Sequence, residues 1–294
     1  MRAASPSRTP TILLWAGAFP AIDIALDAFS PLPLAAVRFA LASLPMVGLL
    51  AWRLSEPVRR SDLIIAIGGG ILGITAYNAL FNTGQTLVSP SVAGFAVGIQ
   101  PLFAALLAAI FLRERVSPRQ WLGIAIGICG LLIIPYARSD ADGSVIGVAI
   151  ITAAAICSAA SFVIQRPAIG RLRLFVLMLI VILSGAVALS RWLADGIDEA
   201  KHATPSAIWA LGYLAFGAGF LGYLTWAHTL RIFGAAKAAS YLFLMAPVAA
   251  LLDTLITNAI PPIGVLMGGT IATFGVAVGT VRTRQSVLNR RASV

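Results

Sequence analysis

Long apolar runs recur along nearly the whole chain and constrain its fold more than any other feature. A helix needs about 20 mostly apolar residues to cross a bilayer, and charged or Pro/Gly-containing stretches separate ten such runs here. The runs cover residues 11–29, 33–54, 62–83, 90–112, 118–137, 144–165, 172–194, 205–229, 235–257 and 262–281. We therefore expect an all-α polytopic membrane protein with ten transmembrane helices.

The composition supports a membrane protein over a soluble domain. The chain has 294 residues, of which 59% are hydrophobic and 11% charged, and its mean hydropathy is +0.93. Soluble domains carry roughly 25% charged residues, so too few are present here to cover a water-facing surface. The net charge of +10 does not indicate nucleic-acid binding, because the arginines lie in short loops between apolar runs.

The loops predict the orientation in the membrane. With both termini inside, 17 of the 21 basic residues fall on the inner side, Arg138, Arg191 and Lys201 fall outside, and Arg38 lies within a span. Cytoplasmic loops are enriched in Lys and Arg. We therefore expect an integral multi-pass protein of the bacterial cytoplasmic (inner) membrane with both termini in the cytoplasm.

The second half of the sequence repeats features of the first. Tyr77 and Tyr223 are 146 positions apart, as are Pro101 and Pro247. An offset of five helices is odd, so the halves are expected to be inverted, and the loop charges invert with them. We predict two five-helix repeats, residues 1–138 and 139–294, around a central cavity, because rocking inverted halves gives alternating access to a midplane site.

Two prolines occupy matching places in these halves. Pro101 lacks a backbone donor and frees the carbonyl near Val97. In lipid such a carbonyl needs an internal partner, so the bend should face the protein interior. We predict that Pro101 and Pro247 are paired kinks at which the fourth and ninth helices flex. A plain structural kink is the alternative.

The sequence resembles the drug/metabolite transporter superfamily, EamA type. The resemblance rests on the two five-helix halves, on Arg38 in PLPLAAVRFALA, and on Pro101 followed by Leu112-Arg113-Glu114 and by Gln120 to Gly123. Within that family it is similar to a bacterial amino-acid exporter group. The second half often carries a matching Glu, whereas this chain has Ile260 there. The resemblance implies a cavity lined mainly by helices 1, 3, 4, 6, 8 and 9, with helices 5 and 10 packed away from the substrate.

Polar and aromatic residues inside the apolar runs are the candidate cavity residues, because unpaired polar groups in hydrocarbon are costly. The candidates are Trp15, Phe19, Tyr77, Asn78, Asn82, Phe95, Gln100, Ser158, Phe162, Tyr223, Trp226 and Tyr241. Amides and hydroxyls can bind the charged groups of a small zwitterion, and aromatic rings can enclose its side chain. Interhelical hydrogen bonds that serve packing alone are the alternative.

Three charged residues near the start of the chain form a second candidate set. Asp23 and Asp27 are four residues apart on the first helix, and Arg38 opens the second. Pairing of Asp27 with Arg38 is the structural interpretation. A proton- or substrate-binding role for Asp23 is the functional one, because Asp23 lies deeper in the membrane.

We expect a secondary transporter that exports small metabolites, most of all amino acids. The alternatives are a multidrug or cationic-compound exporter, a nucleotide-sugar-like carrier and, remotely, an intramembrane enzyme. No catalytic residue, metal or cofactor is expected, because no nucleotide-binding or hydrolase motif occurs. The expected partners are a small-molecule substrate and the lipid bilayer, with no nucleic acid. A homodimer through helices 5 and 10 is a further expectation, from their Gly-x-x-x-Gly faces.

Overall fold

The computed structural model describes residues 9–53, 58–113, 117–133, 145–169, 171–233, 245–257 and 260–280. The first half contains α1 (Thr9–Ala16), α2 (Ala18–Leu26), α3 (Pro31–Arg53), α4 (Arg60–Gly70), α5 (Tyr77–Gln85), α6 (Pro90–Gly98), α7 (Gln100–Leu112) and α8 (Pro118–Ile133). The second half contains α9 (Val145–Ile169), α10 (Leu174–Leu189), α11 (Leu193–His202), α12 (Pro205–Gly212), α13 (Gly222–Phe233), α14 (Met245–Thr257) and α15 (Ile263–Thr280). Two π-helical segments, Ile71–Ala76 and Tyr213–Leu221, join α4 to α5 and α12 to α13, and a 3₁₀ turn, Ser190–Trp192, joins α10 to α11.

Many of these helices are apolar enough to lie in a membrane. Within the described ranges, six helical segments are also long enough to cross one, and four further apolar segments are shorter. The six are Pro31–Gly48, Arg60–Gln85, Pro90–Leu112, Val145–Ile169, Leu174–His202 and Pro205–Trp226. The four are Thr11–Leu26, Pro118–Ile133, Met245–Ile256 and Ile263–Gly279. The predicted all-α polytopic class is confirmed, whereas the count of ten spans and the inverted repeat stay predictions.

Large apolar side chains cover much of the outer surface. Trp209 is 80% exposed, Phe111 72% and Val187 70%. So many exposed large apolar side chains are unusual for a soluble protein. In a lipid bilayer such side chains are surrounded by apolar lipid and need not be buried by protein.

The fourth predicted helix is interrupted just before its proline. α6 ends at Gly98 and α7 begins at Gln100, with Ile99 between them. Pro101 therefore lies in the first turn of α7, where its missing N–H removes no intrahelical bond. The Ile99 N–H donates to the Val97 carbonyl, which is the carbonyl that Pro101 leaves free. The interruption lies where the sequence predicts a kink, and its role as a hinge stays a prediction.

The two π-helical segments lie at related positions in the two halves. On the 146-residue offset that aligns Tyr77 with Tyr223, the segment Tyr213–Leu221 corresponds to residues 67–75 and overlaps Ile71–Ala76. The first segment ends directly before Tyr77, and the second ends two residues before Tyr223. π-Helical turns are rare and frequently mark functional sites. Their matched positions support the predicted repeat.

α8 and α15 pack together with their backbones in contact. A Cβ atom on Gly123 would lie 2.6 Å from the Gly275 carbonyl oxygen, and one on Gly130 would lie 2.6 Å from that of Gly268. Glycine is required at these two positions because any side chain would push the helices apart. The predicted Gly-x-x-x-Gly faces are thus used within one chain and are not free to bind a second copy. The homodimer stays a prediction and would need other surfaces.

A buried carboxylate connects the start of α4 to the segment between α9 and α10. Asp62 is 1% exposed and forms a 2.8 Å ion pair with Nη2 of Arg171, whose side chain is 43% exposed. The acid also lies in the first turn of α4, where a negative charge is favourable because of the helix dipole. This pair fixes the predicted inner end of α4 against its neighbours.

Candidate functional site

A cavity of about 110 Å³ lies among the helices of both halves. Nine of the twelve candidate cavity residues line it: Trp15, Phe19, Tyr77, Asn78, Gln100, Ser158, Phe162, Tyr223 and Trp226. Side chains from α1, α2, α3, α5, α7, α9, α10, α13 and α14 therefore meet around one space.

Aromatic rings form two groups in the cavity wall. In the first, Trp15 contacts Tyr223 edge-on with ring centroids 5.5 Å apart, and it contacts Trp226 at 5.4 Å. Phe162 stacks on Trp226 at 6.2 Å. In the second, Phe81 contacts Phe19 at 5.6 Å and Tyr77 at 5.4 Å. Aromatic pairs at these distances stabilise one another, so the wall is both apolar and pre-formed.

Amide and hydroxyl groups form the polar part of the lining. Gln100 donates from Nε2 to Ser158 Oγ at 2.9 Å and so joins α7 to α9. Gln165 donates to Ser161 Oγ at 2.6 Å, and Ser161 in turn donates to the Gly69 carbonyl at 2.8 Å. These bonds fix the side chains, and each amide keeps a further polar atom with which to meet a solute.

A buried arginine completes the lining. Arg38 is 7% exposed. It donates from Nε to the Leu214 carbonyl and from Nη1 to Asn78 Oδ1, both at 3.3 Å. Asn78 is itself oriented by a 2.7 Å bond from its Nδ2 to the Ile74 carbonyl. A fixed positive charge therefore lies at the cavity wall.

The structure contradicts the expected pairing of Asp27 with Arg38. Asp27 is exposed at the end of α2, and within the described ranges no ion pair joins the two residues. Arg38 instead donates to the Leu214 carbonyl and to Asn78 Oδ1. Asp23 is half-buried and is not part of the cavity lining, and its coupling role stays a prediction.

Two further candidates lie away from the cavity. Asn82 is fully buried, but its amide donates to the Pro31 carbonyl at 2.9 Å, so it holds the start of α3. The ring of Phe95 packs against Gly269 of α15, because Gly269 has no side chain to fill that space. Tyr241 falls outside the described residues.

The two candidate hinge prolines also lie outside the lining. Pro101 is buried next to Gln100. Pro247 is exposed in α14 and faces a separate surface groove that Phe95 also lines. The first part of the ninth predicted helix lies outside the described residues, so of these two helices the structure describes a break only in the fourth.

Sequence reasoning missed the lining residues Gln165 and Met178, and it did not place the candidate Arg38 in the cavity. A signal for Arg38 was present, because it is the only charged residue between Pro31 and Trp52. An ionisable residue inside a membrane span is a functional candidate. The prediction paired it with an acid at the end of the preceding helix instead.

Comparison with known proteins decides the family. The family model of EamA-like transporters matches the chain twice, over residues 11–136 and 145–280. This chain belongs to the EamA-like transporter family. It is an integral membrane protein.

Relatives of this EamA-family chain carry transporter names. It is 30% identical to the uncharacterized transporter YdfC of Bacillus subtilis, over 92% of this chain and 88% of the relative. It is 29% identical to a probable terminal-alkyne amino-acid exporter of Streptantibioticus cattleyicolor, over 93% and 92%. A probable amino-acid metabolite efflux pump of Salmonella typhimurium is 26% identical, over 74% and 75%.

A solved crystal structure has the same fold. It matches with a TM-score of 0.62 over 98% of both chains, at 20% identity. At that identity the likeness concerns the fold alone.

Proposed function

We propose that this EamA-family chain is a secondary transporter that exports amino acids or closely related metabolites from the cytoplasm. The observation that carries the proposal is the cavity, which combines a fixed cation and amides with a wall of aromatic rings. A zwitterion with an apolar side chain needs both kinds of surface. The exporter names of two relatives support the same substrate class, and the excess of basic residues in the predicted inner loops supports the orientation.

A multidrug or cationic-compound exporter is less consistent with this cavity. A site for a cation is expected to contain a buried acid. Within the described residues, the lining of the cavity contains one charged side chain, and it is the cation Arg38. The charge would repel a positively charged solute.

Transport by purified protein in liposomes tests the proposal. Vesicles loaded with an unlabelled amino acid are diluted into the same labelled amino acid, and exchange is followed for L-phenylalanine, L-leucine and L-threonine, with ethidium as a cationic probe. We expect exchange of at least one amino acid well above that of protein-free vesicles, and none of ethidium. Absence of amino-acid exchange would refute the proposed substrate class.

A matched pair of tryptophans tests whether the described cavity is the transport site. Trp226 is 4% exposed in the aromatic wall, whereas Trp209 on α12 is 80% exposed. If the solute ring packs on this indole, loss of an aromatic contact worth about 0.5–1.5 kcal/mol should make Trp226→Ala lower L-phenylalanine exchange several-fold. Trp209→Ala should leave exchange unchanged at equal protein content. Equal effects of the two substitutions would place the transport site elsewhere.

A further inference from the structure

Arg38 is an unusual residue for its position. It lies seven residues after the start of α3, about 10 Å along the helix, and it is almost fully buried. A guanidinium is charged at all physiological pH values. Burial of such a charge is costly unless hydrogen bonds and an opposite charge compensate it.

The carbonyls that hold Arg38 and its partner Asn78 belong to the two π-helical segments. Leu214, which accepts from Nε, lies in the segment Tyr213–Leu221. The Ile74 carbonyl accepts a hydrogen bond from Asn78, whose Oδ1 is the acceptor for Nη1 of Arg38. Ile74 lies in the segment Ile71–Ala76. The guanidinium is therefore positioned between the two irregular stretches, one from each half of the chain.

Among the described residues, these contacts leave the charge without an anion. An arginine has five N–H groups, and the two bonds above leave three of them without an acceptor among the described residues, including both on Nη2. The titratable groups that interact electrostatically with the guanidinium are the hydroxyls of Tyr77, Tyr213 and Tyr223. In the described part of the chain, no Asp or Glu forms an ion pair with Arg38.

We propose that Arg38 binds the carboxylate of the transported solute, whose side chain then lies against the aromatic wall. A carboxylate accepts hydrogen bonds from a guanidinium with matched geometry and opposite charge. Arg38 lines the same cavity as Trp15, Phe162 and Trp226, so one solute can meet both surfaces. This inference rests on the proposed function and adds to it the group that recognises the substrate class.

A purely structural role for Arg38 is the alternative. Its bonds connect α3 to Asn78 of α5 and to the segment between α12 and α13, so its loss could loosen the fold. A measurement that depends on the charge of the solute separates the two roles, because a loosened fold lowers the transport of all solutes alike.

The first experiment compares Arg38→Gln and Arg38→Lys with the unaltered protein in the exchange assay. The probes are the best-carried amino acid and its amide, in which an uncharged group replaces the carboxylate. A hydrogen bond to a charged group is worth about tenfold to a hundredfold in affinity. We expect the unaltered protein to prefer the acid by such a factor, Arg38→Gln to lose the preference, and Arg38→Lys to keep part of it.

The control is Arg191→Gln, which removes an exposed arginine outside the cavity and should leave the preference unchanged. Amino-acid exchange by the unaltered protein with no preference over the amide, or an Arg38→Gln variant that keeps the preference, would overturn the role of Arg38 while the proposed function stood. Absence of amino-acid exchange by the unaltered protein would overturn both.

A second experiment needs no variant and so does not depend on the folding of Arg38→Gln. Exchange of labelled L-phenylalanine by the unaltered protein is measured with unlabelled 3-phenylpropionate, which lacks the amine, or phenethylamine, which lacks the carboxylate. We expect 3-phenylpropionate to compete at about tenfold lower concentration than phenethylamine. The reverse order would show that the solute is recognised through its amine and not through its carboxylate.

Discussion

The amide nitrogen of Gln100 is hydrogen-bonded within the protein, whereas its amide oxygen is available at the cavity wall. Its Nε2 donates to Ser158 Oγ, and Oε1 has no donor among the described residues. An oxygen in this position can accept from a solute ammonium. Gln100 would then hold one end of a zwitterion while Arg38 holds the other.

A double-mutant cycle separates solute contact from interhelical packing at Gln100. Loss of a buried hydrogen-bonding partner costs about 1–3 kcal/mol, so Gln100→Leu should raise the half-saturation concentration for exchange about tenfold. If Gln100 also contacts the solute, adding Gln100→Leu to Ser158→Ala should raise that concentration further. The measurement is the concentration dependence of exchange for the four proteins of the cycle. A double variant no worse than Ser158→Ala would assign Gln100 to packing alone.

The residue types in the sequence predicted most of the cavity lining, but not how far along each helix the cavity extends. Tyr77, Asn78 and Gln100 stand out because polar groups inside apolar runs need a partner. Asn82 shares a helix face with Asn78, but it lies one turn further along α5, about 6 Å, where it meets the Pro31 carbonyl instead of the cavity. Periodicity gives the face of a helix, and only the tertiary structure gives the level at which the cavity ends.

At the scale of helices, the break at Ile99 offers a specific test of flexing. Replacement of Pro101 restores a backbone donor to α7, and a continuous helix would then compete with the interrupted one. We expect Pro101→Ala to slow amino-acid exchange several-fold while membrane insertion and yield are retained. The measurement is the exchange rate per amount of protein incorporated into vesicles.

Pro45 provides the matched control for this substitution. It lies inside α3, which continues through it without a break. Pro45→Ala should therefore leave the exchange rate near that of the unaltered protein. An unaltered rate for Pro101→Ala, or an equal loss for Pro45→Ala, would argue for a plain structural kink.

At this scale, the π-helical segments are elements that could not be predicted from the sequence. A π-helical turn needs only a shift of backbone bonding from i−4 to i−5, and no residue type enforces that shift. The glycines of IGGGILG predict a bend or a close helix contact but no particular backbone geometry. The structure adds that both segments provide carbonyls to the Arg38 site, which links two separate irregularities to one charge.

At the scale of the whole molecule, α8 and α15 form a close helix–helix contact between the two halves. Neither helix contributes to the cavity lining. Their glycine faces bring the end of each half against the other. Such a contact is suited to hold the halves together while helices around the cavity rearrange, in keeping with the expectation that helices 5 and 10 pack away from the substrate.

A single methyl group tests that contact. A Cβ atom on Gly275 would meet the backbone nitrogen of Gly127 and lie 2.7 Å from the Gly123 carbonyl oxygen, whereas one on Gly48 in α3 meets nothing within 4 Å. Overpacking costs about 1–3 kcal/mol, so Gly275→Ala should lower the melting temperature of the detergent-solubilised protein by several degrees. Gly48→Ala should leave the melting temperature equal or slightly higher, because alanine favours a helix by about 1 kcal/mol.

Exchange by the folded fraction of Gly275→Ala should match that of the unaltered protein, since α8 and α15 lie outside the cavity. A normal melting temperature combined with slowed exchange would mean that these two helices slide past each other during transport.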